Sequence, residues 1–121
     1  MKIERFEDIE AWKEARILVK ETYTYFTSIK DYGFKDQIQR AAISVMSNIA
    51  EGFDRASNKA FIQFLVIARG SVSEVKSLTY AARDIGYIDN NTFDKMSERC
   101  FNLMNLLNGF LRYLRNSERK A

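Results

Sequence analysis

Gly33–Gly52 reads GFKDQIQRAAISVMSNIAEG, and the spacing within it decides the fold. Ile38, Ala41, Ala42, Val45 and Ile49 recur at the three- and four-residue steps of one helix face, and Gln37, Arg40, Ser44, Asn48 and Glu51 keep the same period beside them. A polar stripe that close to an apolar one lies at the edge of a core or inside it. There an unpartnered polar group costs about 1–3 kcal/mol, so these side chains are expected to have designated partners.

The same period extends in both directions, with no proline to interrupt it. A first helix is expected over about 8–28, with Ile9, Trp12, Ala15, Val19, Tyr23 and Phe26 on one face, ending near Gly33, where a glycine permits a positive φ. The quoted stretch gives a second helix over about 34–53. Ser57 or Asn58 can cap a third over 58–85, whose stripe of Phe61, Phe64, Leu65, Ala68, Val72, Val75 and Leu78 is widened by Ile62, Val66 and Ile67. Gly70 within it implies close approach by another helix. Gly86 suits a C-terminal cap, and Asp89, Asn90 or Asn91 can start a fourth helix over about 91–116, with Phe93, Met96, Cys100, Leu103, Met104, Leu107, Phe110, Leu111 and Leu114 inward. Four such helices joined by short connections make one all-α domain, 1–121, an up-down-up-down antiparallel four-helix bundle.

Composition narrows the chemistry. The 121 residues are 46% hydrophobic, enough for a core, and contain no apolar run long enough to span a membrane. Met1–Lys13 alternates charged with apolar residues instead of forming a signal peptide, which predicts a cytoplasmic protein. With no histidine there is no imidazole for acid-base work, no Ser-His or Cys-His pair and no ordinary zinc or di-iron helix motif. The five glycines form no phosphate-cradling loop, so neither catalysis nor a cofactor is expected. Cys100 is the only cysteine and should be a buried thiol. Charge is unevenly placed: residues 1–109 balance fifteen Lys and Arg with fifteen Asp and Glu, while 110–121 hold four against one, so the whole net charge of +3 lies at the C-terminal end.

The wording of the central stretch is itself distinctive. QIQRAAISVMSNIAEG, followed by Arg55, Ser57, Phe61, Phe64, Leu65 and IARGSVSEV from Ile67 to Val75, resembles the four-helix-bundle proteins of the 23S rRNA intervening-sequence family, and the likeness runs from Phe6 and Trp12 to Gly86-Tyr87. The resemblance implies the same bundle. It also brings in a related group, the accessory proteins of the reverse transcriptases of diversity-generating retroelements, which form a ring of five basic bundles. From that likeness come the expectations of a homopentamer and of a reverse transcriptase, or another nucleic-acid-processing protein, as partner.

Three sets of residues carry the functional expectations. Gln37, Arg40, Asn48, Glu51, Ser71 and Glu74 are expected to form a structural polar network, with Arg40 partly buried against Glu74 or Glu51. A dimetal site on the two glutamates lacks the histidines such bundles use. Arg55, Lys59 and Arg69, with Arg112, Arg115, Arg119 and Lys120, are candidates for phosphate contacts to RNA or DNA, because a symmetric assembly multiplies a modest monomer charge. Leu18, Ile62, Val66 and Leu106 fall off the core arcs and are assigned to an oligomer interface. The reading is a non-catalytic oligomeric bundle that binds nucleic acid or a partner that processes it. A protein scaffold without nucleic-acid contact is the alternative.

Overall fold

The computed structural model describes residues 3–120, with the side chains of residues 118–120 outside the described set. A 3₁₀ turn at Phe6–Asp8, not expected from the apolar period, leads into four helices: α1 Glu10–Phe26, α2 Tyr32–Phe53, α3 Asn58–Ile85 and α4 Asn90–Lys120. Each packs on its chain neighbours and α1 closes the square against α4, while no backbone contact crosses either diagonal among the described residues. The protein is an all-α, up-down-up-down four-helix bundle.

Short polar side chains start three of the four helices, α1 following Ile9 without a side-chain cap. Asp31 accepts from Phe34 N–H at 3.2 Å, Ser57 from Ala60 N–H at 3.2 Å, and Asp89 from Thr92 N–H at 2.8 Å, each satisfying a backbone donor that helix geometry leaves orphaned. The Asp31 cap corrects the expected break at Gly33: that glycine lies within the first turn of α2, and among the described residues only Gly86, φ 94°, is left-handed. Gly86 ends α3, its N–H bonding the carbonyls of Ala82 and Arg83.

The core corrects the reading of α1. Its buried residues are Ala11, Ala15, Leu18, Thr22 and Phe26, a face rotated by about one residue from the expected stripe, and Tyr23 is left 42% exposed. Leu18, assigned to an oligomer interface, is 0% exposed among the largest core side chains, so it cannot meet another copy. Two threonines inside this core satisfy their hydroxyls locally, Thr22 donating to Leu18 C=O and Thr79 to Val75 C=O, both at 2.7 Å.

The close helix approach is at Gly52, not Gly70. A Cβ on Gly52 would stand 2.7 Å from Phe64 Cβ and 2.8 Å from Phe61 Cδ1, whereas one on Gly70 would meet nothing within 4 Å. About two turns further along the α2–α3 seam, Ser44 Oγ and Ser71 Oγ lie 2.8 Å apart, and Asn48 donates to Ser44 C=O at 2.8 Å and to its hydroxyl at 3.0 Å. Gln37 reaches Glu74 at 3.5 Å, at the limit of a hydrogen bond. Arg40 and Glu51 are not part of this set. Arg40 is exposed and pairs with Asp36 one turn back at 2.7 Å, because a local carboxylate can be reached without desolvating the guanidinium, and Glu51 is exposed.

A different arginine is enclosed. Arg99 of α4 donates to Glu21 at 3.0 and 3.2 Å and to Glu14 at 3.0 Å, with the three side chains only 21–26% exposed, and this clamps α1 to α4. The two hydrogen bonds to Glu21, then the one to Glu14, hold its guanidinium pKa above the ordinary value against the opposing effect of burial.

Candidate nucleic-acid interface

The antiparallel order brings the end of α2, the start of α3, the start of α1 and the C-terminal half of α4 to one end of the bundle. A shallow cleft of about 280 Å³ there is lined by Ile3, Phe53, Arg55, Ser57, Asn58, Phe110, Tyr113 and Leu114, among others. The α3–α4 register is fixed by ring contacts, Phe61 on Phe110 at 5.3 Å near this end and Tyr80 on Phe93 at 4.9 Å near the other.

Arg55 sits in the α2–α3 turn, exposed, with its guanidinium 4.7 Å from the Phe64 ring centroid. Lys59 is exposed in the first turn of α3, and Arg112 and Arg115 are exposed on α4 at the same end. Arg69 lies two to three turns further along α3, half-buried, donating to Asn108 Oδ1 of α4 at 3.0 Å, so its charge is held in the α3–α4 seam. The side chains of Arg119 and Lys120 lie outside the described residues. Among the described residues no carboxylate pairs with Arg55, Lys59, Arg69 or Arg112 within 4 Å, in contrast to Arg5, Lys13, Arg40, Arg83 and Arg99.

Two further features went unread in the sequence. Lys76, one helical repeat beyond Arg69 at seven residues, continues the basic line on α3. It lies close enough to the buried Cys100 to lower the thiol pKa, although burial dominates and pushes that pKa up to about 11. A second groove, of about 610 Å³, runs along α1 past Arg5, Trp12, Lys13, Arg16 and Lys20, with the Arg16 guanidinium 5.8 Å from the Trp12 ring. The signal was present as the i, i+3, i+7 spacing of Lys13, Arg16 and Lys20. The interface candidates Ile62 and Leu106 are half-buried against the core and Val66 is 38% exposed. Leu106 lines an apolar groove of about 510 Å³ between Ile3–Ala11 and α4, with Phe110 and Tyr113.

Among the described residues no group of three or more His, Cys, Asp or Glu is placed to hold a metal ion, and no helix is long and apolar enough to cross a membrane.

The family model of the 23S rRNA-intervening sequence protein matches residues 7–109, from the 3₁₀ turn to the C-terminal half of α4. The chain belongs to that family. The family description names no catalytic activity, and a comparison with curated proteins finds no match. Among solved structures the fold is shared with a crystal structure described as a protein of unknown function from the S23 ribosomal protein family of Bacteroides thetaiotaomicron. That chain is 19% identical, with a TM-score of 0.79, and the match covers 84% of this chain and 97% of the other. At that identity the likeness speaks for the bundle alone.

Proposed function

We propose that this member of the 23S rRNA-intervening sequence family is a non-catalytic, cytoplasmic, oligomeric bundle that binds nucleic acid, RNA foremost, along its basic α3–α4 side. The observation that carries the reading is the gathering of Arg55, Lys59 and Arg112 at one bundle end, with Arg69 and Lys76 continuing along α3, and no carboxylate paired to the first four among the described residues. Unpaired cations on a rigid scaffold offer phosphate contacts without first breaking an ion pair. A ring of copies, five in the related retroelement proteins, repeats each cation and raises a small monomer charge to a strong local potential. Exposed apolar residues such as Val66 at 38% and Ile67 at 53%, with the groove at Leu106, supply surface that such an assembly would cover.

A fluorescence-anisotropy titration of the purified protein against labelled RNA, run at low and at high salt, tests this. Affinity should fall steeply with salt, since each phosphate contact releases counterions. Absence of binding at low salt removes the reading. The same apolar surface supports a second one, a scaffold for a reverse transcriptase or other nucleic-acid-processing protein. Co-purification of such a partner that survives nuclease and high salt favours it.

A further inference from the structure

Phe101 differs from every other phenylalanine in the chain. Of the nine, Phe6, Phe26, Phe34, Phe53, Phe61, Phe93 and Phe110 each stack on another ring and Phe64 lies under the Arg55 guanidinium. Among the described residues Phe101 has neither kind of partner and is 60% exposed. A phenyl ring buries its area most favourably against another surface, so a bare one in mid-helix is a free contact face.

Its surroundings indicate what the face could meet. Phe101 and Asn108 are seven residues apart on one side of α4, and Asn108 is the residue that takes the Arg69 hydrogen bond across the seam at 3.0 Å. Cys100, its neighbour in the chain, senses Lys76. The ring therefore sits beside the seam between two cations of α3, with Arg112 about 16 Å along α4 toward the basic end, from eleven residues at 1.5 Å each. In the opposite direction the same helix carries Asp94 and Glu98. A polyanion lying on Phe101 would accordingly run toward Arg112 and Lys59.

We propose that Phe101 is a stacking platform for an unpaired base of a single-stranded nucleic acid whose phosphates follow Arg69, Lys59 and Arg112, which rests on the reading of this face given above. Cations beside an exposed ring are the pairing by which proteins hold single strands without reading sequence. A duplex keeps its base faces stacked inside and cannot use the ring. Loss of one stacking contact weakens binding by about 5- to 150-fold.

The test compares wild type, Phe101→Leu and Phe101→Tyr against a labelled mixed-sequence RNA 15-mer, single-stranded and as a duplex, at low salt, with thermal melts and light scattering on each variant. Leucine keeps an apolar side chain but no ring, and tyrosine keeps the ring. The expected result is a 5-fold or greater loss for Phe101→Leu on the single strand alone, with Phe101→Tyr close to wild type and all three folded. If wild type binds neither RNA, the nucleic-acid reading itself fails and the platform with it. If wild type binds but Phe101→Leu binds the single strand as well, or loses duplex affinity equally, only the platform is overturned. A change in assembled mass with unchanged affinity also overturns it, by making Phe101 a contact between copies.

Discussion

Gly52→Ala isolates the α2–α3 contact. Inside a helix, replacing glycine by alanine is ordinarily stabilising by about 0.5–1 kcal/mol, through lower backbone entropy in the unfolded chain. At Gly52 the added Cβ would lie 2.7 Å from Phe64 Cβ, an atom fixed to the α3 backbone, so relief requires the helices to part and not merely a side chain to turn. Overpacking of this kind costs about 1–3 kcal/mol, which outweighs the helix term and leaves a net loss of about 1–2 kcal/mol. For a chain of this size that lowers Tm by about 4–10 °C. Gly70→Ala and Gly109→Ala are the controls, since a Cβ at either meets nothing within 4 Å, and each should raise Tm by about 2–5 °C. Thermal melts by circular dichroism at one fixed protein concentration give all three. Opposite signs are required; a Gly52→Ala protein as stable as Gly70→Ala would mean that α2 and α3 do not touch there.

Arg99→Gln should cost about 1–3 kcal/mol, between the exposed and buried limits for an ion pair, because it leaves Glu14 and Glu21 facing each other with little solvent, whereas Arg40→Ala should cost less than about 1 kcal/mol; chemical denaturation separates them. Ser71→Ala removes the partner of Ser44 and should destabilise by about 1 kcal/mol, while Ser97→Ala, which deletes a buried hydroxyl with no partner among the described residues, should be neutral or stabilising in the same assay. The Cys100 pKa is raised in the folded state, so its contribution is fully present below the unfolded thiol value and is lost as pH climbs toward about 11; a thiol reagent at pH 8 should label it only at the rate of unfolding, and immediate labelling of native protein would contradict its burial.

Legibility in the sequence followed how local each cause is. The bounds of α3 could be read directly because Ser57 and Gly86 act on backbone groups within a few residues. Gly33 was misleading for the same reason in reverse: Asp31, two residues earlier, already caps α2, so the chain turns before the glycine. Leu18 and Val19 both fit a helical stripe on α1, and the choice between adjacent faces depends on how α2 and α4 are arranged around it, which α1 alone does not encode. Arg40 and Arg99 show the limit most clearly. Each lies on an amphipathic helix, but Arg40 finds Asp36 four residues back, while Arg99 finds carboxylates 78 and 85 residues away. Of the candidate site, chain order was enough to gather Arg55, Lys59 and Arg112, since their elements meet at one end of any up-down bundle. Helical period alone sets Phe101 outside the inward arc of α4, but that its ring lacks a partner among the described residues could be recognised only in the structure.

The most direct test of the central claim is the salt dependence of RNA binding by wild type and by the Lys59→Gln/Arg112→Gln double variant. If these side chains hold phosphates, log K against log salt is linear and the variant's slope is shallower by about 0.7–0.9 for each contact removed per bound copy, with the thermal melt unchanged. An identical slope and affinity in the folded variant would contradict the claim that the basic α3–α4 side binds nucleic acid.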